Sequence, residues 1–170
     1  MDMNDKNDLR IYAKNIRKNL LLSEISFRAV EKIRACDLYK NSNNVMLYYP
    51  TKYEINLLEL LCDNKNFYLP RVNGEGLDVC SYSVGDEMQK SAFGVMEPIC
   101  KSEKKNILDL VIVPALMADS HNYRLGYGGG YYDRFICADF KTITVVPKEL
   151  FVENLPIDKF DKEITRIILV

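Results

Sequence analysis

The feature that most constrains this chain is a series of short, unbroken apolar runs, each closed by a turn residue or a proline. Val45-Met46-Leu47-Tyr48-Tyr49 stops at Pro50, Asn66-Phe67-Tyr68-Leu69 at Pro70, and Leu110-Val111-Ile112-Val113 at Pro114. Thr142 to Val146 and Ile164 to Val170 repeat the pattern, and Leu77 to Tyr82 adds a strand after the Gly74-Glu75-Gly76 turn. Runs that do not alternate apolar with polar suit strands covered on both faces. Between them lie helical or loop segments, such as Leu57-Leu58-Glu59-Leu60-Leu61, which suits a short helix. The alternation predicts an α/β protein, a three-layer α/β/α arrangement with a mostly parallel central sheet.

An N-terminal helical segment precedes the first strand. Leu9, Tyr12, Ile16 and Leu20 recur at steps of three and four, the period of an amphipathic helix. Ser23 has the character of a helix cap, and Phe27, Val30 and Ile33 continue the pattern to about Tyr39. At 170 residues, the expected organisation is one domain spanning 1–170.

Lys plus Arg number 23 against 24 Asp plus Glu, which gives no general affinity for nucleic acid or membrane surfaces. The five cysteines, Cys36, Cys62, Cys80, Cys100 and Cys137, are irregularly spaced and include no CxxC pair, arguing against a disulfide framework or a zinc site. The acidic, polar start is unlike a secretion signal, and no apolar run approaches the ~20 residues of a membrane span. The expected location is cytoplasmic.

Chemistry concentrates at Gly126-Tyr127-Gly128-Gly129-Gly130-Tyr131-Tyr132-Asp133. Glycines at these positions allow positive φ and close approach to a ligand, so that backbone N–H groups converge on an anion. Tyr131 to Cys137 has helix-forming character, which would add a helix N-terminus to the loop. Asp133, one turn on, is placed to hold Mg²⁺ against a bound phosphate. Its plainer role is favourable charge in a first helical turn. The loop fits neither the Walker A nor the Rossmann pattern: no Gly-Lys-Ser/Thr closes it, and Tyr131 stands where the third Rossmann glycine belongs.

Val113-Pro114-Ala115 followed by Tyr123-Arg124-Leu125-Gly126-Tyr127-Gly128-Gly129-Gly130-Tyr131-Tyr132-Asp133-Arg134-Phe135 resembles the signature of the 5-formyltetrahydrofolate cyclo-ligase family. Phe93-Gly94-Val95-Met96-Glu97-Pro98 is similar to the family's Phe-Gly-x-x-Glu-Pro segment, and Tyr48-Tyr49-Pro50 with Glu54 to its strand-Pro-x-x-x-Glu segment. The resemblance implies an enzyme using ATP as co-substrate and Mg²⁺ to cyclise 5-formyltetrahydrofolate to 5,10-methenyltetrahydrofolate. It implies small-molecule partners only, no nucleic acid or membrane, and a monomer or weak homodimer. A non-catalytic folate- or nucleotide-binding protein of the same fold is the alternative.

Carried onto this sequence, the resemblance implies ATP contacts from Arg124, Leu125, Gly126, Tyr127, Gly128, Gly129, Gly130, Tyr131 and Tyr132. Tyr127 to Tyr131 would also face the folate, together with Tyr49 and Glu54. Arg124, Tyr131 and Asp133 would be catalytic. Asp133 and Asp161 would bind the metal, with Asp158 competing for the second place. The family's N-terminal Lys-x-x-Leu-Arg can be matched in two registers, Lys6 with Arg10 or Lys14 with Arg17, and the distance to Ser23 favours Lys14 and Arg17. Four positions depart from the family pattern: Ala115 and Asn122 replace common glycines, Gly129 a common lysine, and Phe160 a common histidine. The cation missing at Gly129 is expected from Arg124 or the N-terminal helix.

Overall fold

The computed structural model describes residues 5–92 and 94–170; Phe93, part of the mid-chain motif, lies outside the described residues. Helices α1 (Lys6–Lys18), α2 (Leu22–Ala35) and α3 (Asp37–Lys40) open the chain. The strands follow as β1 (Asn44–Met46), β2 (Asn66–Asn73), β3 (Gly76–Ser81), β4 (Met88–Lys90), β5 (Met96–Pro98), β6 (Ser102–Glu103), β7 (Leu110–Ile112), β8 (Met117–Asp119) and β9 (Arg124–Leu125). Helix α4 (Tyr131–Phe135), β10 (Lys141–Val146), β11 (Phe151–Val152) and β12 (Arg166–Leu169) complete the order, and Leu58–Cys62 forms the expected short helix as a 3-10 turn.

Seven strands form the central sheet in the order β12-β10-β7-β1-β2-β3-β6. The first four pairings are parallel and the last two antiparallel. The expected mostly parallel α/β sheet is therefore present. Side chains alternate across it with period two. Val45, Leu47, Leu110, Ile112, Ile143 and Val145 pack with Ile25, Ala29, Val30 and Ile33 of α2. Met46, Val111 and Val113 point the other way, onto Phe135 of α4, Phe140 and Ile164. That second layer is thin, one five-residue helix and loops, so continuous apolar runs arise without a full helical layer on the far face.

Pro70 does not end its strand. β2 runs through it to Asn73, pairing Pro70 with Val79. Tyr82 N donates to Phe67 O, which sets the alternation: Tyr68, Pro70 and Val72 turn their amide positions away from β3. On that side β1 has ended, and the Val72 amide donates instead to Glu97 Oε1. The missing proline N–H therefore costs no ladder bond.

Helix α1 lies on a second, three-stranded sheet, β11-β8-β9, rather than on the main one. Leu9 and Ala13 are buried there with Leu116, Met117, Leu125, Leu150 and Leu155. Among the described residues no helix is long and apolar enough to cross a membrane.

Candidate active site

The carboxyl ends of β1 and β7 deliver the two halves of the site. β1 runs on through Leu47 into Tyr48-Tyr49-Pro50 and the turn that carries Glu54, where Thr51 N donates to Glu54 Oε2. β7 leads to the β8–β9 hairpin, and β9 ends directly at the glycine loop. Gly128 takes φ +104° and Gly130 φ +67°, the left-handed region that glycine occupies without strain. A Cβ at Gly129 would come within 2.8 Å of the Tyr131 ring. Asn122 also adopts positive φ, 67°, which Asn tolerates better than most residues.

Three arginines bracket this loop. Arg10 Nε donates to Gly126 O at 3.0 Å, and its guanidinium packs over Gly128. Arg134 donates to Gly129 O and Glu75 O and lies over the Tyr131 ring. Arg124, its side chain 3% exposed, pairs with Asp133 at 2.9 Å, while its buried Nε has no acceptor among the described residues. Helix α4 is only five residues long, so the loop's positive character comes mainly from these side chains rather than from a helix dipole.

The N-terminal basic residue that hydrogen-bonds the loop backbone is Arg10, not Lys14 or Arg17, which the distance to Ser23 favours. Lys14 is exposed. Arg17 is 2% exposed and donates to three backbone carbonyls, Tyr53 O, Ala115 O and Leu116 O. It belongs to the buried Leu9–Ala13 stripe of α1 and fastens that helix to the Glu54 turn. Its charge also opposes the rise of the Tyr127 phenol, whereas Arg10, on the first turns of α1, bonds the loop backbone and Lys6 meets the Asp158–Asp161 turn. Lys6 bridges Asp158 at 2.7 Å and Asp161 at 2.5 Å. Burial opposes its charge, but hydrogen bonds to Asp158 and Asp161 prevail and raise the ammonium's pKa. Asp158 is correspondingly lowered by its hydrogen bond from Lys6.

Asp161 is the more sheltered of the two carboxylates, its side chain 20% exposed against 74% for Asp158. The next residue, Lys162, donates its backbone N–H to Asp133 Oδ1 at 3.3 Å, so the Asp161 turn abuts Asp133. Among the described residues no three or more His, Cys, Asp or Glu stand together as a metal cage.

Glu54 and the loop tyrosines converge. Tyr127 lies within hydrogen-bonding reach of Glu54; burial first, then the Glu54 charge, pushes its phenol up. Tyr132 is raised for the same two reasons, against a smaller opposing pull from Arg124. Tyr48 is fully enclosed and raised well above its ordinary value by burial and then by Glu54, and its hydroxyl donates to Ile55 O. With their pKa values raised, these phenols keep their protons at neutral pH. Tyr49 and Glu54 line a groove of about 600 Å³ that runs between them and Leu22, Ser23 and Ser26 of α2. A larger hollow, about 990 Å³, opens at the amino ends of β10 and β12 and contains none of these residues.

Leu125 lies under α1 with its side chain buried and its carbonyl bonded to Leu116 N, leaving it no side chain to offer a ligand. His121 sits exposed in the hairpin turn. Sequence reasoning overlooked Asp119, which is 2% exposed and accepts from the backbone N–H groups of His121, Tyr123 and Leu155. The Asp-Ser-His-Asn string is a recognisable turn-forming signal, and this carboxylate sets the hairpin that aims Arg124 and the glycines.

The family model for the 5-formyltetrahydrofolate cyclo-ligase family matches residues 2–170. A 5-formyltetrahydrofolate cyclo-ligase of Haemophilus influenzae is 30% identical over 72% of this chain and 73% of its own length. The 5-formyltetrahydrofolate cyclo-ligase of Mus musculus is 22% identical over 90% of this chain and 82% of its own. Among solved structures, 5,10-methenyltetrahydrofolate synthetase of Aquifex aeolicus superposes with a TM-score of 0.83 at 29% identity, covering 96% of this chain and 89% of that one. Sequence and fold agree: this chain belongs to the 5-formyltetrahydrofolate cyclo-ligase family of enzymes.

Proposed function

We propose that this chain cyclises 5-formyltetrahydrofolate to 5,10-methenyltetrahydrofolate, consuming ATP with Mg²⁺ and releasing ADP and phosphate. The observation that carries the reading is the convergence of Glu54 with Tyr127 and Tyr132 of the glycine loop. One wall of the site offers donors and positive charge suited to phosphates. The other offers a carboxylate suited to a pteridine N–H, in a groove of about 600 Å³.

The chemistry needs positioning more than a protein nucleophile. A formamide oxygen is a poor leaving group. Transfer of the γ-phosphoryl group to it creates a good one, and N10 of the same folate then attacks the formyl carbon as phosphate departs. Charge on the transferring group spreads over its oxygens, so catalysis comes from fixed donors around them. The backbone of Gly126 to Gly130, the Arg124 Nε, and Arg10 at the loop edge supply those donors, with Lys6 one turn away. Asp133 and Asp161 suit Mg²⁺, which takes one or two carboxylates and leaves its other positions to water and phosphate oxygens; bound there, it would neutralise developing phosphate charge. Tyr131 and Tyr127 border both substrates.

The test is the absorbance of 5,10-methenyltetrahydrofolate formed from 5-formyltetrahydrofolate with ATP and Mg²⁺. No product at high enzyme concentration, despite measurable ATP binding, would replace this reading with a non-catalytic folate- or nucleotide-binding protein.

A further inference from the structure

Two of the five cysteines stand against each other, away from the glycine loop. Cys80 on β3 is completely buried, and its thiol lies close enough to Cys100 to be perturbed by it. Cys100, half-buried, lies two residues before β6, whose Ser102 pairs with Cys80 in the sheet. Its position is held from several directions. The Cys100 sulfur also contacts Ser81 O at 3.7 Å. Arg71 donates to Cys100 O at 2.6 Å while ion-paired to Asp78 of β3 at 2.9 Å. The sheet register and an anchored backbone carbonyl thus hold the Cys100 sulfur against the Ser81 backbone, beside Cys80.

We propose that Cys80 and Cys100 form a reversible redox pair, closing to a disulfide that joins β3 to the segment entering β6. The bond would close the stretch between them, which contains the β4–β5 hairpin and Glu97.

The oxidant fitting this geometry is a small, soluble disulfide of the glutathione type. Burial and the contact with Cys100 push the Cys80 thiol up to about 12, so it stays protonated while the more accessible Cys100 meets the oxidant. The Cys100 thiolate attacks one sulfur of the small disulfide, forming a mixed disulfide and releasing one thiol. Cys80 then loses its proton and attacks the Cys100 sulfur, releasing the second thiol. The protein loses two hydrogen atoms, and the small disulfide gains them as two thiols.

The experiment is to incubate the full-length, folded chain with glutathione disulfide, quench free thiols by alkylation, and analyse it by intact mass and non-reducing peptide mapping. The expected result is a species two hydrogens lighter, carrying a Cys80–Cys100 cross-link that a dithiol reverses, while exposed Cys62 accumulates a glutathione adduct. In Cys80→Ala, Cys100 should instead retain its adduct. Cys100→Ser, at a half-buried site, should keep the wild-type unfolding midpoint and form no cross-link. The proposal is overturned if wild-type Cys100 remains free or stops as an adduct under conditions that fully modify Cys62, or if it links to any other cysteine.

Discussion

Replacing Arg17 by methionine separates two incompatible roles for this residue. The distance to Ser23 suggests Arg17 as an ATP ligand, whereas the structure spends its guanidinium on the carbonyls of Tyr53, Ala115 and Leu116. Methionine roughly preserves the buried stem but leaves those carbonyls unserved. A buried acceptor without a partner costs about 1–3 kcal/mol. The wild-type guanidinium carries its own desolvation cost, and its Nε is unsatisfied, so the losses do not simply add. A net loss of about 3–5 kcal/mol follows, in line with removing one partner from a buried charged interaction. For a chain of this size that corresponds to a melting midpoint lower by roughly 10 °C or more. Urea unfolding measures the free energy, and ATP titration at a temperature where both proteins are folded measures the ligand role. The structure predicts a large stability loss with ATP affinity within about threefold of wild type. Arg10→Ala should do the reverse, weakening ATP binding about tenfold, or roughly 1.4 kcal/mol, with little change in stability. An Arg17→Met protein of wild-type stability that fails to bind ATP would refute this assignment and restore the register suggested by spacing.

Three further outcomes follow from named contacts. Asp133→Asn should lower turnover by about 100-fold or more and weaken Mg²⁺-dependent ATP binding; unchanged dependence on Mg²⁺ concentration would remove Asp133 from the metal site. Asp119→Ala strands three backbone donors and should cost about 2–4 kcal/mol in urea unfolding, whereas a loss below 1 kcal/mol would mean that the hairpin does not depend on this carboxylate. Asp63 has its pKa lowered: burial pulls it upward, but hydrogen bonds from Arg34 and Tyr39 outweigh that. A depressed carboxylate stabilises the fold above its unfolded value of 3.8 and loses that contribution as pH falls through the folded value. Asp63→Asn should therefore lower the melting midpoint at pH 7 while flattening its decline between about pH 4 and pH 2; an unchanged acid slope would refute the link.

The fold was legible because its apolar runs carry the sheet directly. Val45 to Leu47 and Leu110 to Ile112 need no polar face, since α2 covers one side and the Phe135–Phe140 layer the other. What the runs could not reveal is where each strand stops. Pro70 reads as a terminator, yet its effect depends on which edge its missing N–H faces, and that is set by β3 and by the early end of β1. The placement of α1 on the smaller sheet was also hidden, because amphipathic spacing specifies a buried stripe but not the surface that buries it.

The site was legible in proportion to how local its chemistry is. The glycine loop is a contiguous string in which Gly128 and Gly130 take positive φ and the trailing Asp133 pairs with Arg124. The basic partners come from distant sequence, and there periodicity misleads. Arg10, Lys14 and Arg17 fall near one helical face, and only the packing of Leu9 and Ala13 decides that Arg17 points inward and Lys14 outward. A guanidinium in an apolar stripe looks like a ligand contact when viewed as a sequence, because a buried charge is expensive without a partner. Here the partners are backbone carbonyls, which no sequence pattern marks. Lys6 shows the complementary case, since its ammonium meets Asp158 and Asp161 across 152 and 155 residues. The same ammonium that would reach for phosphate also holds the carboxylates expected to meet the metal. One ammonium against two carboxylates leaves this edge of the site net negative, so on the proposed function a divalent cation would complete the neutralisation that Lys6 begins.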